Sequence, residues 1–410
     1  MLMSCSVLRR RFVWVLSCAL LAFTFSSQAD DCVPVGEVLL LDKGQKINVA
    51  KLINSLSKKK IVLLGEHHDN MEHHRWQLQM MTGLHSLNED IVLGFEMFPR
   101  QAQPVLDKWV AGELNEKEFL KQVNWNEYWS FDEQLYMPMF HFARMNQIPI
   151  YALNVNRNLI REVGQKGWRE ADSALKEGVS DPAPPSEGYR QMLASVFMQH
   201  GQDHGSNNDD LETLVEQAMA MPAFSRFVES QQAWDRAMAE AIASATKSHP
   251  KAQVIAVLGS GHMMYRFGVP EQLDALDMPS PSVLIPWDPE FECDYIQKDF
   301  ADAVIGLKAI RLSEQEDNGE HPKLGVYLDS AEQGVKIVSI VPKSIAEAIE
   351  LRQNDLIIRL AGSEVSEVEQ VIDIVRNTQF GTWLPISVRR GNEVLEMVAK
   401  FPPKPLKNAN

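Results

Sequence analysis

Short apolar runs of strand length alternate with longer stretches of helical periodicity over the first three quarters of the chain. The runs occupy residues 61–64, 91–95, 148–153, 254–258 and 283–285. Near-continuous apolar strands that are separated by helices are typical of a parallel sheet covered on both faces. The pattern therefore predicts an α/β fold, with a parallel sheet and helices on both of its faces.

The stretch from about 182 to 246 interrupts this alternation. It follows a proline-rich turn at 181–186 and gives several helix-length segments before the sheet resumes. In the first of them, Tyr189, Leu193 and Phe197 recur every four residues, which makes one helix face apolar and aromatic. An all-helical insertion of this kind predicts a cap over the edge of the sheet.

A second change of pattern falls at 310–320, where the chain becomes polar and acidic. We interpret this segment as a linker that follows an α/β domain at 30–309. Beyond it, short strands and turn residues predict a small β-rich domain at 321–402, and residues 403–410 are expected to form a loose tail.

The N-terminal segment has the features of a secretory signal peptide. Residues 1–29 contain three arginines and no acid, then an apolar run of about 14 residues and the small residues Ser27 and Ala29. The run is short against the roughly 20 residues that a membrane-spanning helix needs. Cleavage after Ala29 and export to the periplasm are predicted. A lipoprotein acylated at Cys18, anchored to the membrane and facing the periplasm, is the alternative.

Charge and cysteine content narrow the function classes. The chain has 40 basic and 55 acidic residues, a net charge of −15, and loss of the three arginines of residues 1–29 would make it −18. This charge opposes binding to nucleic acid. Cys32 and Cys293 would remain, near the two ends of the predicted α/β domain. Because domain termini often lie close together, they can form one disulfide in an exported protein.

Polar and ionisable side chains stand at the ends of four predicted strands. They are Glu66, His67, His68, Glu96, Asn154 and His262. In an open parallel sheet, ligands bind beyond the carboxyl ends of the strands, so we expect these side chains to converge. For Glu96, a buried ion pair with Arg100 or another base is the alternative, and for His262 it is a hydrogen-bonded histidine of the core.

A divalent transition metal that activates water is the economical mechanism for such a set. His67, His68, Glu96 and His262 are the candidate metal ligands. Glu66, His68, Glu96 and His262 are the candidate catalytic residues. The sequence contains no His-Glu-x-x-His motif, Gly-x-Ser-x-Gly elbow, Walker loop or Cys-x-x-Cys pair that would name another chemistry.

Four of the 11 histidines lie within the eight residues 67–74. Asp69 and Glu72 form a capping-box pattern, which predicts a helix that begins near Asn70. His73 and His74 are then expected on a solvated or half-buried face of that helix.

Five separated motifs together resemble the ChaN family. They lie at 65–70, 94–97, 152–157, 233–239 and 259–270, within a resemblance that covers about residues 45 to 290. It implies an α/β domain with a helical cap, haem binding and a link to iron acquisition at the bacterial envelope. ChaN is in turn similar to the wider Tiki superfamily, which is marked by two Gly-x-x-His motifs and a glutamate. Here these are Gly65 to His68, Gly259 to His262, and Glu96.

The ChaN resemblance also implies how haem would be held. It suggests a tyrosine and a histidine from the cap helices, with haem shared between two protomers of a homodimer. Tyr189 and His200 are the matching residues, and Arg190 with Arg226 are candidate partners of the haem propionates. Core packing is the alternative for Tyr189.

The region 321–402 resembles a bacterial PDZ domain. The matching segments are 324–326, 334–337, 341–347, 351–357 and 388–391. Asn354 stands where glycine is usual, and asparagine also accepts a left-handed turn. PDZ domains bind an extended peptide as an added strand and hold its terminal carboxylate with loop amides. Leu324, Gly325 and Val326 are therefore the candidate peptide-binding loop, unless the domain only packs on the first one.

The sequence thus predicts an exported protein that binds haem or an iron compound and takes part in iron uptake or haem handling at the envelope. Its PDZ domain would bind a peptide or the C terminus of a protein. The main alternative is a metal-dependent hydrolase, a Tiki-like protease, with its site at the carboxyl edge of the sheet. A PDZ scaffold whose first domain is an inactive enzyme is the third.

Overall fold

The chain folds into two compact units, residues 1–311 and 312–410. The structure is a computed structural model that describes residues 32–201, 211–288, 293, 296–308, 322–331 and 333–403, with the backbone alone at 199–201, 211–214 and 369. The predicted signal peptide, the linker 310–320 and the tail beyond Pro403 lie outside these residues. Within them, no helix combines the length and apolarity needed to cross a membrane.

The first unit is built on an eight-stranded sheet. Its strands are β1 (Val38–Leu40), β2 (Gln45–Ile47), β3 (Ile61–Glu66), β4 (Ile91–Pro99), β5 (Ile150–Asn154), β6 (Gln253–Gly259), β7 (Ser282–Trp287) and β8 (Ala303–Gly306). Their order across the sheet is β2-β1-β8-β7-β3-β6-β4-β5. The six strands from β8 to β5 are parallel, and β1 and β2 form an antiparallel hairpin on the edge.

The five apolar runs of the sequence correspond to β3 through β7, and the predicted α/β class is confirmed. Strands β3, β4 and β6 are buried along their whole length, which is why they read as continuous apolar segments. The short strands β1, β2 and β8 were not predicted. With them the sheet is mixed rather than wholly parallel.

Eleven α-helices belong to the described part of this unit. They are α1 (Val49–Leu56), α2 (Met71–His85), α3 (Gln103–Val110), α4 (Glu116–Gln122), α5 (Trp125–Tyr128), α6 (Met137–Met145), α7 (Arg157–Lys166), α8 (Glu187–Gly201), α9 (Leu211–Ala220), α10 (Pro222–Ser248) and α11 (Val269–Asp274). The side chain that caps α2 is Asn70, which accepts a hydrogen bond from the N–H of Glu72. The expected cap at Asp69 was therefore wrong by one residue.

The region of the predicted cap contains α8, α9 and α10. Met238 and Ile242 in the second half of α10 belong to the core that also contains Leu63 and Val254 of the sheet. A separate buried cluster joins Tyr189 of α8 with residues of α9 and the first half of α10. Only this part of the insertion is a distinct cap, because the rest of α10 covers the sheet itself.

A disulfide joins Cys32 to Cys293 across a sequence separation of 261 residues. The predicted pairing is confirmed. It ties the segment before β1 to the segment between β7 and β8.

The second unit is an antiparallel sheet with two helices. Its elements are β9 (Val326–Ala331), β10 (Gly334–Ile340), α12 (Ile345–Ala348), β11 (Leu356–Leu360), β12 (Ser363–Glu364), α13 (Val368–Arg376), β13 (Trp383–Arg390) and β14 (Glu393–Lys400). The strand order is β14-β13-β11-β10-β9, with β12 paired to β11, so β9 lies at an edge. Asn354 has a φ of 74°, the left-handed conformation expected for it.

Candidate functional site

The topology brings three predicted site segments to one edge of the first sheet. Glu66 ends β3 and is in register with Gly259, which ends the neighbouring strand β6. Glu96 lies in β4, the strand on the other side of β6. We call the group formed by Glu66, His68, Glu96, His262 and Asp235 the sheet-edge cluster.

Glu66 is 2% exposed, and both of its oxygens have partners. Its Oε1 accepts a hydrogen bond from the Tyr136 hydroxyl at 2.8 Å and lies 2.7 Å from His68 Nδ1. Its Oε2 accepts from the Gln77 amide at 3.0 Å and lies 3.4 Å from His74 Nδ1. Burial works to raise the pKa of Glu66, but His74 and His68 hold the pKa well below its usual range. Glu66 is therefore a buried carboxylate that stays ionised.

His68 is the most exposed member of the cluster. Its side chain is 28% exposed and its ring lies edge-on to Trp129, with ring centroids 4.7 Å apart. Burial opposes the charged form of His68, yet Glu66 raises its pKa above the ordinary value. Burial likewise lowers the pKa of His74 and Glu66 raises it, and the net effect is a raised pKa. Glu66 thus stabilises positive charge on two imidazoles.

Glu96 is also 2% exposed, and it connects β4 to the segment after β6. Its Oε2 accepts a hydrogen bond from the N–H of Gly259 at 2.6 Å, and its Oε1 lies 3.6 Å from His262 Nε2. Arg100, the alternative partner, pairs with Glu240 at 3.1 Å instead. The ion pair between Glu96 and Arg100 is therefore not formed, and the base beside the buried Glu96 is His262.

His262 links the sheet edge to the cap. Its Nδ1 lies 2.7 Å from Asp235 Oδ1, and the other oxygen of Asp235 accepts a hydrogen bond from the Tyr189 hydroxyl at 2.6 Å. Burial lowers the pKa of His262, but Glu96 and Asp235 outweigh it and raise the pKa to about 9. Burial and Asp235 raise the pKa of Tyr189 well above its usual value. His262 is an imidazolium at neutral pH, and Tyr189 a protonated donor.

Position 259 is occupied by glycine for a steric reason. A Cβ at this position would lie 3.0 Å from His68 Cε1 and 3.5 Å from Glu96 Oε2. A Cβ on Gly261 would meet nothing within 4 Å. The missing side chain of Gly259 thus leaves room for His68 and Glu96 beside the backbone of this residue. The two Gly-x-x-His motifs are in contact here, because His68 belongs to one and Gly259 to the other.

The structure does not assemble the predicted metal ligands into a metal centre. Across the described ranges, no group of three His, Cys, Asp or Glu side chains is arranged to hold a metal ion. His67 packs edge-on against His73, with ring centroids 5.3 Å apart, and the backbone N–H of His67 donates to His73 Nδ1. His68 faces Glu66, and His262 faces Asp235. His68, Glu96 and His262 are thus engaged in carboxylate–imidazole contacts, and His67 contacts another histidine.

Sequence reasoning missed several members of this network. His73 and His74 are 1% and 3% exposed, so the expectation of a solvated or half-buried face was wrong. Asp235 lies in the Ala-Trp-Asp motif at 233–235, which was part of the family resemblance, but the sequence suggested no role for it. Tyr136 precedes α6, far from any strand end, and nothing in its sequence context points to Glu66.

The predicted haem ligands lie on or near the cap. Tyr189 is 1% exposed and its ring stacks on Phe267, with centroids 5.8 Å apart. Its role as a haem ligand stays a prediction. In the structure its hydroxyl donates a hydrogen bond to Asp235. The guanidinium of Arg190 lies 5.9 Å from the centre of the Phe224 ring. The side chain of His200 lies outside the described residues.

Beside Tyr189, the cap carries several apolar side chains that are only partly buried. We call them the cap face: Met192, Phe197, Met198, Met219 and Phe227. They pack against the buried cluster of the cap and keep part of their surface open to solvent. Arg226 is partly buried next to Phe227 in the chain.

In the second unit, the predicted loop residues Leu324, Gly325 and Val326 line a groove of about 400 Å³ between the start of β9 and α13. Gly325 has a φ of 84°, and a Cβ there would lie 2.2 Å from Ser344 Cβ, so the loop requires glycine. Peptide binding by this loop stays a prediction.

Comparison with known proteins confirms both resemblances. Residues 52–273 match the family described as haem-binding uptake, Tiki superfamily, ChaN, and residues 322–400 match the PDZ domain family. ChaN of Campylobacter jejuni, solved with cofacially bound haem, is similar with a TM-score of 0.50 and 19% identity over 65% of this chain and 95% of that one. At this identity the likeness shows the fold alone.

Two further solved structures are similar over smaller shares of the chain. The HtrA3 PDZ domain bound to a phage-derived ligand has a TM-score of 0.18 and 17% identity, over 19% of this chain and 82% of that one. A serine endoprotease from Yersinia pestis has a TM-score of 0.20 and 16% identity, over 23% and 36%. No curated protein matches the sequence.

Proposed function

The chain belongs to the ChaN family of haem-binding uptake proteins, in the Tiki superfamily, and from this we propose that it is an exported protein that binds haem or a related iron compound. Its role would be iron uptake or haem handling at the bacterial envelope. The PDZ domain that follows would bind a peptide or the C terminus of a protein partner.

The cap face is the observation that carries this proposal. A haem site needs an apolar slot and an axial ligand. Phe197, Met198 and Phe227 offer apolar surface that the fold leaves partly open. Bound haem would supply an iron centre, and His200 and Tyr189 are the residues proposed to hold it, with Arg190 near its propionates. Tyr189 would first have to give up its hydrogen bond to Asp235.

Titration of the full mature chain with haemin tests this function. We expect a Soret band that saturates with added haemin, and about tenfold weaker binding for His200→Ala, because one iron ligand is lost. Tyr189→Phe separates its two roles: a shifted Soret band means that the phenol binds iron, whereas an unchanged band with lower stability means that it only holds Asp235. Tyr151→Phe, which is remote from the cap, is the control.

No spectral change on haemin addition to the parent protein, with both variants indistinguishable from it, would contradict haem binding. A result of that kind would leave the fold assignment intact and remove the function.

Export is supported by residues 1–29 and by the disulfide, because disulfides persist in oxidising compartments. Fractionation of cells with N-terminal analysis of the mature chain tests it. A chain that starts at Asp30 in the periplasm fits the proposal, and an acylated Cys18 fits the membrane-anchored alternative. An uncleaved chain in the cytoplasm would contradict both.

The convergence of Glu66, His68, Glu96 and His262 favours a second candidate, a metal-dependent hydrolase at the sheet edge. In the described arrangement a metal would have to displace carboxylates from histidines. Metal analysis of the protein as isolated, followed by a protease screen with added Mn²⁺, Co²⁺ and Zn²⁺, tests this candidate. Blank results in both would end it.

A further inference from the structure

Strand β14 lies at the edge of the second unit's sheet that is opposite to β9. It is 8 residues long, and it pairs with β13 along its whole length without a register shift, whereas the pairing of β9 with β10 is shifted between Ile337 and Ser339. Among the described strands, nothing pairs with the other side of β14. A long, regular edge presents unpaired backbone N–H and C=O groups to another strand.

The backbone groups that face this open edge belong to every second residue of β14. Phe401, directly after β14, donates its N–H to the carbonyl oxygen of Thr382, directly before β13. Successive residues of a strand direct their N–H and C=O groups to alternate sides. The residues whose groups face outward are therefore Val394, Glu396, Val398 and Lys400. Their side chains are exposed as well, that of Val394 by 52% and that of Val398 by 40%.

Two of these four outward-facing residues carry opposite charges. The carboxylate of Glu396 is 64% exposed, and its ion pair with Arg359 is long, at 3.9 Å. The ammonium of Lys400 lies 4.8 Å from the centre of the Trp383 ring and makes no ion pair with another described residue. Val398 lies midway between the two charges. A second β14 that runs antiparallel, with the two copies of Val398 opposite each other, places each Glu396 opposite a Lys400, and opposite charges that face each other across two strands stabilise their pairing.

We propose that β14 pairs with β14 of a second copy of this chain, antiparallel and centred on Val398, so that two chains form a dimer through their second units. Such an interface has two-fold symmetry and complements itself. A register centred on Glu396 would place two like charges opposite each other. One centred on Met397 would place Lys400 opposite Val394 and leave both charges unpaired. Charge therefore favours the register centred on Val398. This inference goes beyond the proposed function, because it requires neither haem nor a peptide.

Sedimentation velocity of the full mature chain without haem tests the dimer. In Glu396→Lys and in Lys400→Glu, like charges replace both opposite-charge pairs, and we expect each variant to dimerise about tenfold more weakly than the parent. An equimolar mixture of the two variants should dimerise within about threefold of the parent, because every facing pair is again opposite in charge. Glu393→Lys changes the net charge as Glu396→Lys does, but it faces Pro403 of the second copy in this register, and it is the control.

Cysteine cross-linking tests the register. Facing residues of a hydrogen-bonded antiparallel pair have Cα atoms about 5.5 Å apart, which a disulfide can span. Val398→Cys should therefore give a covalent dimer on a non-reducing gel after oxidation. Val394→Cys is the matched control, because its counterpart in the second copy would lie about 27 Å away, or about eight residues along the strand. Cys32 and Cys293 are already bonded to each other.

The possible failures are distinct. A parent chain that stays monomeric up to about 1 mM would overturn the proposal. A dimer that both charge reversals leave unchanged would overturn it too, because the two copies would then meet elsewhere. If the reversals weaken the dimer but their mixture does not restore it, and Val398→Cys does not cross-link, the register is overturned. Unchanged circular dichroism would show that each variant folds. None of these outcomes bears on haem binding, which the Soret band measures separately.

Discussion

The sheet-edge cluster and the cap face lie in the same unit but are stabilised by different interactions. In the cluster, buried charged groups from several elements satisfy one another, with Glu66 and Asp235 each taking at least two partners. In the cap face, apolar side chains pack by contact and remain partly open. The cluster should therefore depend on each of its members, whereas the cap face can change and still keep the fold. Tyr189, through Asp235, connects the two regions.

The largest expected effect comes from Asp235→Ala. Asp235 is fully buried and accepts from both Tyr189 and His262, so its loss leaves the Tyr189 hydroxyl without an acceptor and takes the nearer of two carboxylates from the His262 imidazolium. We expect the free energy of unfolding to fall by about 3–5 kcal/mol, measured by urea denaturation with tryptophan fluorescence. Asp274→Ala at the exposed end of α11 is the control. A loss below about 1 kcal/mol for Asp235→Ala would show that the cluster does not stabilise the fold.

The pH dependence of stability should follow His262. Its pKa is about 9 in the folded chain against an ordinary value of 6.5. A raised pKa stabilises the fold fully below the unfolded value, and this contribution is lost as the pH rises through about 9. We expect about 3 kcal/mol to be lost between pH 6 and pH 9.5. His68 and His74, whose pKa values are also raised, act in the same direction.

Urea midpoints at the two pH values measure this loss. In Asp235→Ala the dependence should be flatter, because one source of the raised pKa is gone. An equally steep profile in that variant would assign the effect to other groups.

The two glycines of the segment 259–262 give a matched pair with a smaller effect. In Gly259→Ala, the new methyl group crowds the His68 ring, and we expect a loss of about 1–3 kcal/mol in the free energy of unfolding. Gly261→Ala has open space and should stay within about 0.5 kcal/mol of the parent. Equal effects of the two substitutions in urea denaturation would contradict the described approach of the two Gly-x-x-His motifs.

The smallest effect is expected on the cap. Arg226→Gln should change the free energy of unfolding by less than about 0.5 kcal/mol, and should weaken haemin binding about threefold at low salt through loss of one cation. Exposed Arg169 gives the control variant Arg169→Gln. A large loss of stability in Arg226→Gln would mean that the cap is held by charge, as the cluster is, and the contrast between the two regions would disappear.

The sequence predicted the structure best in the buried central strands of the first sheet. Because β3, β4 and β6 are buried on both faces, their apolar runs could be recognised. His68, Glu96 and His262 converge as expected, whereas His67 packs against His73. The short strands β1, β2 and β8 have only three or four residues, too few for a pattern to emerge.

Long-range partners could not be predicted in this way. His74 reaches Glu66 because its helix packs back onto β3, and Tyr136 reaches the same carboxylate from a segment 70 residues away. Tyr189 illustrates the same limit, since its aromatic helix pattern indicated a buried or ligand-facing ring but could not show that Asp235 lies at its hydroxyl. Periodicity identifies a face, whereas the partner on that face depends on tertiary packing.

The Cys32–Cys293 bond makes most of the first unit a covalent ring. A single proteolytic cut anywhere between these two cysteines, the cap included, would open the ring without dividing the protein, and the fragments would separate only on a reducing gel. A cut after Cys293 would instead release the C-terminal part of the chain at once, even without a reductant. The protein could therefore lose its PDZ domain by one cleavage, while its ChaN-family domain would survive a nick as a single molecule.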